Sequence, residues 1–228
     1  MTSVIFRAFR AVDDPDSCQK FVLGHRAVLE SYGITMITSN NALWAEHKNT
    51  YVILAEAPDD HRALGGVRIQ ISDVDFALPI VHAVGQVDDK IHEVISRQTG
   101  KVIAEACGLW NAREIAGYGY SFFLLRSAIA LAYQLKVESL YALAAPVTVD
   151  MCLNAGFIIE RYLGKDGFFN YPKLDLVATA MVINDLGQMS HATDVDKSHI
   201  FDLMHNPVHT ATVNGPKGDV TIDYRLQF

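Results

Sequence analysis

Cysteine is scarce in this 228-residue chain, and the three present, Cys18, Cys107 and Cys152, are odd in number and far apart. That excludes a disulfide framework, and their spacing fits no metal motif, so a reducing cytoplasm is the simplest setting. The nine histidines add no metal expectation. Positive charge is also in deficit: 19 Lys and Arg against 26 Asp and Glu leave a net charge of −7. A broad nucleic-acid surface is therefore not expected. No apolar run reaches the roughly 20 residues of a membrane span. The most apolar window, residues 121–135, falls short of that and is interrupted by Arg126. The opening Met1-Thr-Ser-Val-Ile-Phe-Arg7 lacks the charged and long apolar regions of a signal peptide. Repeats and low-complexity tracts are absent. With 50% hydrophobic and 20% charged residues, the chain has the means to bury a sizeable core.

The pattern along the chain predicts an α/β protein. Val4 to Val12 is β-branched and aromatic, with partial alternation, and reads as an opening strand. Asp13-Asp-Pro-Asp16 starts a helix, with acids at the positive end of the dipole and Pro in the first turn. Phe21, Val22, His25, Val28 and Leu29 recur at helical spacing, and Gly33 ends that helix. Trp44 falls in a polar loop or a second short helix. Thr50 to Ala57 and Ala63 to Ser72 are strands joined through Pro58-Asp-Asp60. Residues 73–100 read as an insertion with an apolar stretch, Phe76 to Val84, and a polar helix around Asp88 to Arg97 closed by Gly100. Leu174 to Asn184 is a further strand, Thr193 to Met204 a helix, and Thr210 to Tyr224 a hairpin around Gly215-Pro-Lys-Gly218. The expected division is residues 1–185 as one domain and 186–228 as an appendage. A lone two-stranded hairpin is marginal in water, so it is expected to cover a sheet edge and to contribute to a homodimer.

The most informative stretch is Val102 to Phe157. An apolar strand, Val102-Ile-Ala-Glu-Ala-Cys-Gly-Leu-Trp110, runs into Asn111-Ala-Arg-Glu-Ile-Ala-Gly-Tyr-Gly-Tyr120. An apolar helix (Ser121 to Leu135), a second strand (Ser139 to Ala144), a short amphipathic segment and Asn154-Ala-Gly-Phe157 follow. A glycine-containing turn before a helix offers bare N–H groups to a phosphate. The carboxylate of Glu105 stands in an apolar strand and needs an explanation: desolvation raises its pKa, making it a general base or, alternatively, a paired structural or substrate-holding acid.

This order of elements resembles the acyl-CoA-binding half of the GNAT acyltransferase superfamily. The resemblance implies a central mixed, largely antiparallel sheet with helices on both faces, plus a C-terminal helix and β-hairpin appendage. It implies acyl transfer from a thioester carrier, acetyl-CoA or a longer acyl-CoA, to a small-molecule amine. The turn then holds the donor through Arg113, Ile115, Ala116, Gly117, Tyr118, Gly119 and Tyr120. The superfamily places Gln or Arg three residues before its first glycine; here Glu114 stands there and Arg113 is displaced by one. Either Arg113 swings in and Glu114 faces out, or the donor carries fewer phosphates. The superfamily's strand splays from its neighbour, so that backbone groups of Leu109, Trp110 and Asn111 pair with the donor arm, and Asn154 fits a position whose side chain touches it. Where members carry a general-acid tyrosine, four residues before Gly156, this chain has Cys152. Cys152 is a proton donor, an acyl-accepting nucleophile or a small buried hydrophobe, and Tyr162 and Tyr141 are substitutes.

Gly65-Gly-Val-Arg68-Ile, the insertion and the Glu105 strand are similar to the layout of acyl-homoserine-lactone synthases and N-acyl amino acid synthases. That branch implies a long acyl chain from acyl carrier protein, on its phosphopantetheine arm. Its Glu-x-Ser-Arg is Glu105-Ala-Cys-Gly108 here. Arg68 itself reads as an exposed strand residue.

Overall fold

The computed structural model describes residues 2–34, 42–171 and 176–227. The strands are β1 (Thr2–Arg10), β2 (Thr50–Glu56), β3 (Ala63–Ile71), β4 (Ile103–Asn111), β5 (Ser139–Ala144), β6 (Ile158–Ile159), β7 (Phe168–Asn170), β8 (Val177–Ile183), β9 (Val208–Gly215) and β10 (Gly218–Arg225). The helices are α1 (Pro15–Ser31), α2 (Pro79–Val84), α3 (Lys90–Ser96), α4 (Tyr120–Gln134), α5 (Pro146–Asn154) and α6 (Asp194–His205). Trp44 lies in a 3-10 turn, Leu43–Glu46. The expected elements are present with small boundary shifts. Leu174 and Asp175, the expected start of the strand seen as β8, lie outside the described residues. The two-residue β6 and three-residue β7 are too short for periodicity to reveal.

All ten strands join one mixed, largely antiparallel sheet, ordered β6-β8-β5-β4-β3-β2-β1-β10-β9, with β7 also on β8. The parallel pairs are β4 with β5 and β1 with β10. Alternation sets the two faces. Val4, Phe6 and Ala8 of β1, Ile53 and Ala55 of β2, and Ala104 and Ala106 of β4 point into the main core beneath α4. Phe9, Val52, Leu54 and Trp110 point the other way, against Phe21 of α1. Further along that second face, Ile103, Tyr141 and Val182 pack on Leu78, Ile80, Ile91 and Val94 of the insertion.

The near-continuous apolarity of α4 follows from double coverage. It lies between the sheet and α6, and Phe123, Leu124, Leu125 and Ala128 to Ala132 are all buried. Arg126, which breaks the run, meets Asp196 of α6 at 2.7 Å, and Asp196 is held by the helix-capping Thr193. The C-terminal hairpin extends the sheet of its own chain: β10 pairs with β1, and Val220, Ile222 and Tyr224 are buried in the main core.

Candidate active site

Strands β4 and β5 stay together for three pairs only, Ile103 with Ser139, Ala104 with Leu140 and Glu105 with Tyr141. Beyond Glu105 they have no registered pairs, and β4 keeps β3 on its other side while β5 keeps β8. The divergence is built into β4. The register jumps from Arg68–Cys107 to Gly66–Trp110, a bulge at Gly108, whose φ of +62° favours glycine. The result is a wedge through the sheet, a cavity of about 300 Å³. Leu125 and Cys152 line it from the α4 side, and His25, Pro79, Cys107 and Tyr171 from the other.

Glu105 sits at the closed end and is 2% exposed. Its Oε2 accepts the Ile80 N–H at 2.6 Å. Burial pushes its pKa up to about 8; the Ile80 bond and then the Arg68 charge oppose that push and do not overcome it. At neutral pH it therefore holds a proton most of the time and must give it up, at slight cost, before it can accept another. His25 is driven down to about 4, by burial first and by Arg68 second, and is neutral.

Arg68 corrects the sequence expectation. It is not exposed but 2% accessible, with Nε donating to Cys107 Sγ at 3.2 Å and its guanidinium 4.7 Å above the Trp44 ring. Nothing in the local Gly-Gly-Val-Arg-Ile pattern signals that cover, because Trp44 comes from a distant turn. His25 and Tyr171 were likewise not singled out as site residues, and both line the wedge.

Cys152 also lines the wedge, and burial raises its thiol to about 12, which keeps it protonated at neutral pH. Tyr141 packs beside Glu105 in register and is pushed to about 12, mainly by burial. Tyr162 is not among the residues lining the wedge; its hydroxyl donates to Glu93 Oε2 at 2.6 Å, between Lys90 and Arg97. Leu109 lines the wedge. Trp110 is buried against α1, where a Cβ at Gly24 would overlap its ring, and its indole N–H has no partner among the described residues. Asn111 ties the strand to the helix start by accepting the Ser121 hydroxyl at 2.6 Å. The Asn154 side chain is exposed and outside the wedge lining.

The turn after β4 has Gly117 and Gly119 at φ +84° and +88°, and Gly119 is the N-cap of α4. The amides of Ile115, Ala116 and Tyr118 close local turns, whereas those of Gly117, Gly119, Tyr120 and Ser121 have no hydrogen-bond partner among the described residues. Four free N–H groups at the positive end of a 15-residue helix suit an anion. Glu114 faces away to Arg62, 3.2 Å, while Arg113 is exposed beside the turn. Glu114 is thus turned outward, while no hydrogen bond or ion pair ties the Arg113 side chain to the turn among the described residues. The hairpin adds a group that sequence did not assign. The Lys217 Nζ donates to Ala116 O at 2.7 Å, and a Cβ on Gly117 would lie 2.5 Å from Lys217 Cε. The glycines thus admit the hairpin tip.

A splayed parallel pair with a bulged first strand, a Gly-x-Gly turn and a helix over the gap, set in a mixed sheet, decides the fold. It is the GNAT fold. No protein-family model matches the sequence, and no curated protein matches it. Solved structures do. FeeM, an N-acyl amino acid synthase from uncultured soil microbes, superimposes with a TM-score of 0.64 at 16% identity over 86% of this chain and 97% of that one. The CoA-dependent acyl-homoserine lactone synthase BjaI, bound to SAM and isopentyl-CoA, gives 0.55 at 14% identity over 87% and 90%. Escherichia coli ElaA gives 0.56 at 9% identity over 78% and 98%. Among the described residues there is no cluster of His, Cys, Asp or Glu suited to a metal ion, and no helix is long and apolar enough to cross a membrane.

Proposed function

We propose that the protein is an N-acyltransferase that moves an acyl group from acyl-CoA to the amine of a small molecule. The observation that carries this is the wedge between β4 and β5, with Glu105 at its closed end and free amides at its mouth. The donor's phosphates lie on the amides of Gly117, Gly119 and Tyr120, with Arg113 adding charge, and Leu109 to Asn111 pair with the arm. The amine attacks the thioester carbonyl. A C–N bond forms, the C–S bond breaks, the amine proton passes to Glu105, and the thiolate leaves protonated. Cys152 and Tyr171 are the proton-bearing groups in the wedge best placed for that last step, with Tyr162 outside it. Holding donor and acceptor in line supplies most of the rate, and Glu105 supplies the deprotonation.

Acyl carrier protein ends in the same phosphopantetheine arm, so an N-acyl amino acid synthase-like use of that donor needs no other wedge. The apolar lining suits a bulky acyl group in either case. Residues 1–185 form the transfer unit and 186–228 its appendage in this reading. The open edge of β9 favours a homodimer, and the three free cysteines suit the cytoplasm. The test is free-thiol release from acyl-CoA donors of two to twelve carbons, and from acyl carrier protein, with pooled amines. Thiol release that depends on an amine supports transfer. Donor binding without thiol release would leave an acyl-thioester-binding protein that does no chemistry.

A further inference from the structure

Acyl transfer as set out above leaves one titratable group of the wedge without a task. His25 stands on α1, half-buried, and lines the wedge. It sits at the bulge of β4: a Cβ added at Gly108 would lie 3.4 Å from Phe21 Cζ and 3.8 Å from His25 Cε1. The Phe21 ring, 5.9 Å from the imidazole between centroids, is itself packed edge-on against Trp44 and Trp110. That aromatic stack holds α1 against the bulge. Burial and the Arg68 charge are what act on the imidazole, and no hydrogen bond engages its nitrogens among the described residues. Neither nitrogen is one of the buried polar atoms sealed off without a partner, so the edge of the ring stays open to the wedge.

The surrounding charges decide what such a ring can do. From β3, Arg68 is a cation. From β4, Glu105 is mostly protonated, and Cys107, which accepts from Arg68 Nε, is raised to about 11 by burial and is uncharged. A proton taken up by His25 would add a second cation beside Arg68, which is unfavourable. A negative charge accepting the imidazole N–H is favoured by the same field. The transfer creates one. When the amine attacks, the C–N bond forms and the carbonyl π pair moves onto oxygen; when the C–S bond breaks, that pair returns and the carbonyl is restored. With the arm along Leu109 to Asn111 and its reactive end at Glu105, the carbonyl lies level with Gly108, where His25 stands.

We propose that the His25 imidazole donates a hydrogen bond to the oxyanion formed at the thioester carbonyl, with the Arg68 charge behind it. The proposal rests on the acyl-transfer reading of the wedge. His25 is then a catalytic residue, and Arg68 acts through it.

A donor of this kind works on the transition state and not on the bound substrate. His25→Ala should therefore lower kcat on the order of 10²-fold and leave the KM of acyl-CoA and of the amine within about twofold. His25→Asn keeps an N–H and should recover about tenfold of that loss, whereas His25→Phe keeps only the packing on Phe21 and should be as slow as Ala. A structural role predicts the opposite order, with Phe the better replacement, and that order overturns the proposal. So does an unchanged kcat in a folded His25→Ala protein. A binding measurement needs no turnover. A CoA thioether carrying a phosphonate at the carbonyl position has the charge of the oxyanion, and the uncharged thioether lacks it. The native protein should bind the phosphonate at least about tenfold more tightly than His25→Ala does, and the two proteins should bind the uncharged thioether alike. Equal binding of the phosphonate by both overturns the proposal. Absence of amine-dependent thiol release from the native protein would defeat the transferase reading instead, and the phosphonate comparison would still decide whether His25 binds an oxyanion.

Discussion

The two ends of the wedge are built on different principles. The closed end is made of side chains, the buried Glu105 and Arg68 and the half-buried Cys107 and His25, tuned by burial and by one charge. The mouth is made of backbone, the amides of Gly117, Gly119, Tyr120 and Ser121, with the hairpin tip on one flank. A side-chain site is changed by substitution of one atom type, whereas a backbone site is changed only by moving the chain. In the proposed reading the closed end would carry selectivity and proton chemistry, and the mouth donor affinity that many sequences could supply.

The largest expected effect removes the support of the mouth altogether. Truncation after Leu186 takes away Ile200, Leu203, Val220, Ile222, Tyr224 and Leu226, all buried. At about 1.5–3 kcal/mol each this equals the whole stability of an ordinary domain. Circular dichroism should show no cooperative melt. A soluble truncated protein with a normal melt would mean that the appendage is independent of both ends of the wedge.

Next comes the closed end. Glu105→Gln should lower turnover on the order of 10²-fold if Glu105 takes the amine proton as proposed. In the native protein the rate should rise with pH and level off near 8, where Glu105 loses its proton; this break should be missing from the Gln variant. Stability should move oppositely to activity. The folded state keeps a proton between pH 4.5 and about 8 that the unfolded state gives up, so native stability falls across that window as pH rises. Glu105→Gln removes that fall, and its melting temperature should gain on the native protein more at pH 9 than at pH 5. A parallel pH dependence of the two proteins would show that Glu105 only positions the substrate.

Lys217→Ala probes the mouth with less force. Its residue is exposed beside the free amides of the turn, so loss should raise the KM for acyl-CoA about three- to tenfold and leave the acceptor KM unchanged. A changed acceptor KM with an unchanged donor KM would reverse the assignment of the two ends. The smallest effect is expected for Cys152→Ala. Its buried thiol, raised to about 12, is a weaker acid than an ordinary cysteine, so turnover should stay within about twofold when Tyr171 is intact. A tenfold loss in a folded protein would make Cys152 the proton donor.

The mouth was legible in the sequence because its parts are consecutive: an apolar strand, two glycines and an apolar helix within some thirty residues. Glu105 was legible because an acid inside such a run has to be accounted for. Arg68 was not, since its burial depends on Trp44 and Cys107, which lie in distant segments, and its own strand pattern is as compatible with solvent. Lys217 was missed for the same reason, as it reaches Ala116 across 101 positions of the chain. Both glycine φ values are what the turn requires, but part of the room those glycines create is taken by the hairpin tip, a use that only the folded chain displays.

The central claim is that a thioester arm lies between β4 and β5 with its reactive end at Glu105. A crystal structure with a non-cleavable acyl-CoA thioether tests it directly. The account predicts pyrophosphate density on the amides of Gly117 to Ser121, the arm along Leu109 to Asn111 and the sulfur between Glu105 and Cys152. Density for the arm outside the wedge, with β4 and β5 unfilled, would contradict it.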